Sequence, residues 1–272
     1  MNILVCLKIV SQMQFYDSLN ENVDRFSGGQ LMINPADMYA LEAALKIKDS
    51  KPDTTVTVIT MAPAGTEPFL REAIAVGADA AVLISDSRAA ASDTLVTSKI
   101  LAAALRQLPP QDLILCGKKA IDSETGHIGP RLATMLSLPF CTNVVRFSLE
   151  GDLLRLIRVQ ENGLAEYTGQ LPALLTICNG TEMVREATIA GLRRGRQAEI
   201  RRLDLDALGV APEAAGLRGS PTRTVTVYQM EFHKGNRVSA KSVKDGVKEI
   251  SKLLRRCGEE AGLDGQSVGC RK

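Results

Sequence analysis

The segment CGKKAIDSETGHIGP, residues 116–130, holds the densest group of residues that can bind an anion. It follows an apolar run expected to form a strand and precedes a pattern expected to form a helix. Glycines let backbone N–H groups approach an anion, hydroxyls add donors, and a helix N-terminus favours negative charge. The residues concerned are Gly117, Ser123, Thr125, Gly126 and Gly129. The segment predicts a phosphate-binding loop. The alternative is an ordinary glycine-rich strand–helix turn, because neither Walker A nor GxGxxG spacing is present.

Two other segments carry polar side chains suited to the same ligand. Thr94 and Thr97 are three residues apart, so their hydroxyls share one face of a helix's first turn and can bind a phosphate or a ribose. The competing interpretation is a helix capped by Asp93 with solvated threonines. Asn34, before Pro35, is a good N-cap for another helix that begins at the same edge of the predicted sheet.

The chain shows no catalytic side chains with a recognisable spacing. His127 lies inside the loop, where it can titrate or hydrogen-bond a ligand, and the alternative is a solvated histidine. There is no Ser–His–Asp order and no conspicuous carboxylate pair. Two histidines and six cysteines without a CxxC pair predict no metal site. Any reaction would therefore come from a bound cofactor, which the protein positions and tunes.

The composition excludes several classes of partner. A net charge of +2 and an aromatic content of 4%, with no tryptophan, argue against a nucleic-acid-binding protein. No apolar stretch of about 18 residues is present, which predicts no membrane span. The first ten residues, MNILVCLKIV, do not resemble a signal peptide, and most cysteines lie in apolar runs that suit a reducing compartment. We therefore expect a cytoplasmic protein.

Short apolar runs alternate with helical patterns over the first half of the chain. Strands are predicted at residues 2–10, 55–61, 80–85 and 112–116, and helices at 35–49, 67–76, 93–105 and 126–136. Strands separated by helices of this length indicate right-handed crossovers and a parallel sheet. The prediction is a three-layer α/β fold of the Rossmann-like, adenine-nucleotide-binding kind, with helices on both faces of the sheet.

The pattern changes after about residue 138. Four strands are predicted at 141–149, 153–160, 165–169 and 173–178, and they would complete the sheet. Beyond residue 180 the chain is basic and irregular, and an amphipathic helix at 241–254 precedes a polar tail. We expect a nucleotide-binding domain at 1–204. Residues 205–272 would form an arm and a helix that pack on a partner subunit, because they hold too few apolar residues for a core of their own.

Several of these segments resemble the β subunit of electron transfer flavoprotein. The matching segments are ILVCLK near the N-terminus, NPAD at 34–37, GAD at 77–79, LILCGKKAIDSETGHIGP at 113–130 and GLRGSPTR at 216–223. The resemblance covers nearly the whole chain. It implies a heterodimer with an α subunit, a nucleotide in this subunit, and electron transfer to or from an acyl-CoA or hydroxy-acid dehydrogenase.

Members of that family differ in the nucleotide they hold. In the respiratory type it is AMP with a structural role, and in the electron-bifurcating type it is a second FAD that accepts hydride from NADH. The resemblance to the bifurcating type is closer, because Asp122, Thr125, Gly129 and the threonines of DTLVTS are shared with it. FAD is therefore the expected cofactor, NADH the possible donor, and AMP the alternative. Only the bifurcating type would make the chain part of an oxidoreductase.

The resemblance also assigns roles to single residues. Cys6, Asn34 and Met61 would border the adenosine, and Thr94 and Thr97 would contact the flavin phosphate or ribityl chain. The loop from Gly117 to Ile128 would wrap the phosphates, with Lys118, Ala120, Asp122, Ser123, Thr125, Gly126 and His127 as its cofactor-binding members. This loop departs from the family at Ser123, Gly126 and His127, where Gly, Ala and Gln are usual.

A last segment, REATI at 185–189, resembles the loop by which the family recognises its dehydrogenase. Ile189 would be the apolar anchor and Arg185 a second docking residue. The arginines that follow would flank it, although a solvated basic face is the alternative. A stand-alone nucleotide-binding module, which would be a stable monomer, is the remaining hypothesis for the whole chain.

Overall fold

The computed structural model describes residues 1–12, 30–180, 183–223 and 240–260, and for 256–260 the backbone alone. By its internal contacts the chain divides into two units, Met1–Val227 and Tyr228–Lys272. The predicted α/β fold is confirmed in the first unit, which is built on one large sheet.

The large sheet has nine strands in the order β11-β5-β4-β1-β6-β10-β7-β8-β9. The strands are β1 Asn2–Cys6, β4 Thr55–Met61, β5 Ala80–Ile84, β6 Leu113–Gly117, β7 Phe140–Glu150, β8 Leu153–Gln160, β9 Gly163–Gln170, β10 Ala173–Ile177 and β11 Ile200–Leu203. Pairing is parallel from β11 to β7 and antiparallel for β7-β8 and β8-β9. The expected strands after residue 138 therefore complete the sheet at one edge.

Helices cover both faces of the sheet. They are α1 Pro35–Ser50, α2 Glu67–Val76, α3 Thr94–Arg106, α4 Ile128–Leu136, α5 Ile189–Gln197 and the short α6 Gly216–Gly219. Helices α1 and α2 pack in one apolar cluster, α3 and α4 in another. Alternate residues of β1 point to the two sides, since Ile3 and Val5 belong to the first cluster and Leu4 and Cys6 to the second. Because both faces of the central strands are buried, their sequences are continuous apolar runs.

The N-terminal apolar run is not one strand. It divides into β1 and β2 Ile9–Gln12, and β2 pairs antiparallel with β3 Gln30–Ile33 in a separate two-stranded sheet. Most of the long loop expected before α1 lies outside the described residues. The predicted strand at 2–10 was wrong in this respect, because an apolar run carries no signal for a change of sheet.

The basic residues between 189 and 203 lie in helix α5 and strand β11, although the sequence pattern predicted an irregular segment. Helix α5 packs on α2 so closely that a Cβ at Gly191 or Gly195 would clash with the carbonyls of Ala75 and Arg71. Arg71 donates hydrogen bonds to the carbonyls of Gly195, Arg196 and Ala198 at the end of α5. The sequence did not predict α5 because the helix buries two glycines, Gly191 and Gly195, and has no stripe of large apolar residues that would mark it among the arginines.

The first unit also extends beyond the expected boundary at residue 204. Leu205 and Leu208 are buried in the core cluster with α3, and Ala215 joins them. The first unit ends at Val227, so residues 205–223 pack on the domain itself. Packing of the later residues on a partner subunit stays a prediction.

In the second unit, helix α7 Val243–Glu260 carries an exposed apolar stripe. Val243 is 86% exposed and Leu254 is 68% exposed, and Val247 and Ile250 share the same side of the helix. The stripe confirms the amphipathic helix predicted at 241–254. Across the described ranges, every helix is too short or too polar to cross a membrane.

The contact between α5 and α2 gives a stability prediction. In Gly195→Ala the new methyl must displace α5 from the Arg71 carbonyl, and we expect a loss of about 1–3 kcal/mol of unfolding free energy. Gly65→Ala is the control, because a Cβ there meets no atom within 4 Å. Denaturant unfolding of both variants measures the effect, and equal stability would show that α5 can shift at no cost.

Candidate functional site

The candidate site lies where strand order reverses. The chain runs from β1 outward through β4 and β5, then returns to place β6 on the other side of β1. In open parallel sheets ligands bind outside the carboxyl ends of strands at such a point. Here those ends are Cys6 and Gly117, which lie side by side because Cys6 and Cys116 are register partners.

A buried carboxylate fixes the two strand ends. Asp37, in the first turn of α1, accepts hydrogen bonds from the N–H of Lys8 at 2.7 Å and the N–H of Gly117 at 3.0 Å. It is 6% exposed. Burial raises the pKa of Asp37 to about 7, against the opposing effect of these hydrogen bonds and of Asn34. One side chain therefore ties α1 to both sides of the crevice.

Asn34 holds the loop instead of capping α1. It makes no side-chain cap hydrogen bond, and its N–H donates to the carbonyl of Lys8 at 2.8 Å. Its amide nitrogen donates to the carbonyl of Lys119 at 3.1 Å, and its amide oxygen accepts from the N–H of Ile121 at 3.2 Å. Asn34 is 1% exposed, so its amide group positions the loop from the buried side. Direct contact with adenosine stays a prediction.

Gly117 is required by close packing. A Cβ at this position would clash with the Asp37 carboxylate and with Ala36. The N-terminus of α1 can approach the end of β6 only because residue 117 has no side chain. Close packing is therefore a second reason for a glycine here, besides the approach of an anion expected from the sequence.

The loop itself folds back and leaves backbone donors unpaired. The carbonyl of Ala120 accepts from the N–H groups of Ser123 and Glu124. Glu124 and Gly126 are left-handed, with φ of 52° and 63°, and such residues help to form anion-binding concavities. Among the described residues, nothing accepts the N–H groups of residues 125–129, which lead into α4. This set of unpaired donors suits a phosphate.

Three charged side chains of the loop, those of Lys119, Asp122 and Glu124, form ion pairs. Lys8 donates to both carboxylate oxygens of Asp122, at 2.6 and 2.7 Å, and approaches the Ser123 hydroxyl at 3.5 Å. Lys119 and Glu124 form a more exposed pair at 2.9 Å. Asp122 therefore anchors the loop to the strand end, a role that sequence reasoning missed. Lys8 and Asp37 were missed as well, and their positions directly after β1 and within NPAD were the available signal.

Helix α3 brings the second predicted segment to the loop. Asp93 caps α3 by accepting from the N–H groups of Leu95 and Val96. Its first helical residue, Thr94, places its hydroxyl oxygen 3.4 Å from Nδ1 of His127. The cap expected of Asp93 is confirmed, and Thr94 also approaches the loop; binding of a phosphate or a ribose by these threonines stays a prediction. Thr97 lies one turn further, half-buried, with no described side-chain contact to the loop.

Residues 216–222 support the start of α3 from outside. The Ser220 hydroxyl accepts from the N–H of Asp93 at 2.8 Å, and the Asp93 carboxylate accepts from the N–H of Thr222 at 3.1 Å. The Ser92 hydroxyl accepts from the N–H of Gly216. The segment GLRGSPTR therefore positions Thr94, which no local sequence signal indicated.

Cys6 is the last residue of β1 and Met61 the last residue of β4. Cys6 and Cys116 are buried free thiols, and the hydrogen bond between them, together with burial, raises the pKa of Cys116. Met61 ends β4 and is half-buried against the α3 cluster. Both side chains are apolar surfaces beside the crevice, and their contact with adenosine stays a prediction.

The electron transfer flavoprotein domain matches residues 27–208, which include β3 to β11 and all the site residues after Lys8. The chain belongs to the electron transfer flavoprotein family.

Its relatives include subunits of named electron-transfer systems. The electron transfer flavoprotein subunit beta of Megasphaera elsdenii is 36% identical, over 88% of this chain and 91% of its own length. The subunit CarD of the caffeyl-CoA reductase-Etf complex of Acetobacterium woodii is 36% identical, over 82% of this chain and 86% of its own. Protein FixA of Azotobacter vinelandii is 39% identical, over 74% of each chain.

The two residues that the family resemblance assigned to docking differ in environment. Ile189, the first residue of α5, is 89% exposed, and Met183 nearby is 90% exposed. Arg185 instead turns inward and donates to the carboxylates of Glu42 and Asp49. Ile189 is thus available to a partner, whereas the guanidinium of Arg185 is occupied within the chain.

The buried Asp37 gives a pH prediction. Its folded pKa of about 7 lies above the ordinary 3.8, so its favourable contribution is full below about pH 4 and is lost as the pH rises to about 7. Each pKa unit corresponds to about 1.4 kcal/mol. In Asp37→Asn this slope should disappear, and one of the two N–H groups should lose its acceptor at every pH, because the amide has a single oxygen.

Unfolding free energies at pH 5, 6, 7 and 8 check this expectation. Asp53→Asn, which alters an exposed carboxylate, is the matched control and should follow the parent protein. Parallel curves for Asp37→Asn and the parent would mean that Asp37 stays ionised throughout this range.

Proposed function

We propose that this chain is the β subunit of an electron transfer flavoprotein heterodimer and that it holds FAD at the β1–β6 crevice. The observation that carries the proposal is the approach of Thr94 to His127, which sets the Thr94 hydroxyl beside the N–H groups of residues 125–129, for which the described residues supply no acceptor. The loop after β6 would supply backbone N–H donors to a phosphate, and the start of α3 would supply hydroxyl donors to the polyol chain attached to it. One relative is named as a subunit of a caffeyl-CoA reductase-Etf complex, which supports the proposal that this chain exchanges electrons with an enzyme that acts on a CoA thioester.

In this proposal the chain's own residues bind and orient. Asn34 and Asp37 hold the loop against β1 and β6, the loop N–H groups bind the phosphates, and Thr94 and Thr97 bind the phosphate or ribityl chain. When bound, a flavin supplies hydride and single-electron chemistry, and the protein tunes and shields it. Electrons would pass from NADH through the flavin of the α subunit to or from an acyl-CoA or hydroxy-acid dehydrogenase. Bifurcation and a cytoplasmic location belong to the same proposal.

A ligand count on the purified α/β heterodimer tests the cofactor. Two flavins per heterodimer support the proposal, and one flavin with one AMP would replace it by the AMP-holding, structural role for this subunit. Size exclusion of the chain expressed alone tests the third hypothesis, because a stable nucleotide-loaded monomer would favour a stand-alone binding module.

The hydroxyls of α3 give a more specific prediction. Thr94→Val with Thr97→Val should weaken FAD binding, since each hydroxyl–phosphate hydrogen bond is worth about 1.5–3 kcal/mol. Titration of apo-heterodimer with FAD measures the change, and Thr168→Val on exposed strand β9 is the control. Unchanged affinity in the double variant would remove α3 from the site.

The exposed side chain of Ile189 gives a prediction about the contact with the dehydrogenase. Ile189→Ala removes most of an 89% exposed apolar side chain and should leave flavin content unchanged. The apparent KM for the dehydrogenase should rise by about tenfold, which corresponds to about 1.4 kcal/mol of lost contact. Steady-state transfer rates at varied dehydrogenase concentration measure it. Equal KM values for Ile189→Ala and the parent would exclude Ile189 from docking.

A further inference from the structure

The contacts of Arg185 are unusually complete for a half-exposed arginine. Its Nε and Nη2 donate to the two carboxylate oxygens of Glu42, both at 2.9 Å. Its Nη2 and Nη1 donate to Asp49 at 2.7 and 3.3 Å. Its backbone N–H also donates to Glu42, at 3.1 Å. These bonds engage most of the five guanidinium donors, so little capacity is left for a partner's carboxylate.

The partner of Arg185 in this cluster is deeply buried. Glu42, in the middle of α1, is 3% exposed, and the described contacts of its carboxylate are all with Arg185. A buried ion pair adds little net stability, because desolvation offsets the attraction, yet its removal from one side alone is costly. A bidentate arginine fixes position and orientation in a way that a lysine does not. The cluster is therefore better suited to fixing geometry than to adding stability.

Two anchors hold the segment that bears the exposed apolar side chains. At one end, Arg185 ties it to α1. At the other, Thr188 caps α5 by accepting from the N–H of Gly191, and α5 packs on α2. Met183 and Ile189, 90% and 89% exposed, stand beside these two anchors. Their exposure thus occurs on a segment attached to two helices of the domain.

We propose that Arg185 is a positioning residue: it pins residues 183–189 to Glu42 of α1 so that Met183 and Ile189 are presented to the dehydrogenase, and it makes no contact with the dehydrogenase itself. This inference rests on the proposed docking function of Ile189. It replaces the direct docking role that the sequence resemblance gave to Arg185. Preorganisation of this kind lowers the ordering cost of association.

A double variant separates positioning from stability. Arg185→Met alone leaves Glu42 buried without a partner, so it should lower both stability and docking. Glu42→Gln combined with Arg185→Met removes both charges, and stability should recover toward that of the parent. If Arg185 positions the segment, the apparent KM for the dehydrogenase should stay about tenfold higher in this double variant, with kcat at saturation unchanged. Arg185→Lys should restore only part of the effect.

The matched control uses a similar ion cluster elsewhere. Arg88 pairs with Asp86 at 2.6 Å and with Asp206 at 2.8 Å. Asp86→Asn with Arg88→Met removes a partly buried pair of the same kind and should leave KM for the dehydrogenase unchanged. Amide hydrogen exchange of residues 184–188 is the second readout, and it should speed up in the Glu42/Arg185 double variant even without a dehydrogenase.

The experiment is run on the α/β heterodimer with an acyl-CoA dehydrogenase that the parent protein reduces or oxidises. The role of Arg185 would be overturned if the double variant kept the parent's KM and the parent's rate of amide hydrogen exchange. The docking function would still stand if Ile189→Ala raised the KM in the same experiment. A parental KM in both Ile189→Ala and the double variant would overturn the docking function. Faster exchange with a raised KM supports the inference.

Discussion

The carboxylate of Asp37 is the interaction on which the candidate site depends. It binds the N–H at the end of β1 and the N–H at the end of β6, and it belongs to α1. The crevice lies where the strand order reverses between the parallel strands β1 and β6, and Asp37 bonds to both of its sides. Burial makes the carboxylate costly, which is why its pKa is raised, and the two N–H groups offset part of that cost.

Helix α1 supports two surfaces with different roles. Asn34 and Asp37 at its N-terminal end hold the loop after β6, and its later turns hold residues 183–189 through Glu42 and Asp49. A single helix thus fixes the positions of both this loop and the segment that bears the exposed Ile189. Because both surfaces rest on one element, the distance between them is fixed by the length of α1 and not by flexible loops.

The loop after β6 shows how a nonstandard motif can suit a phosphate. It lacks the spacings of the common nucleotide-binding loops, yet the described part of the chain supplies no acceptor for the N–H groups of residues 125–129, around the left-handed Gly126 and the start of α4. Most of its charged side chains are used to fix the loop, as in the contact between Lys8 and Asp122.

The sequence by itself determined the parallel α/β architecture, since double burial gives the central strands an apolar signal that local patterns reveal. It also placed Thr94, His127 and Gly117 at one edge of the sheet. It did not reveal the β2–β3 pair, helix α5 or the extension of the first unit past residue 204, because pairing partners and glycine contacts have no local signature. The roles of Asp37, Lys8 and Arg185 were decided only by tertiary structure: each acts on residues far away in sequence, such as Gly117, Asp122 and Glu42, and only the folded chain brings these groups within hydrogen-bonding distance.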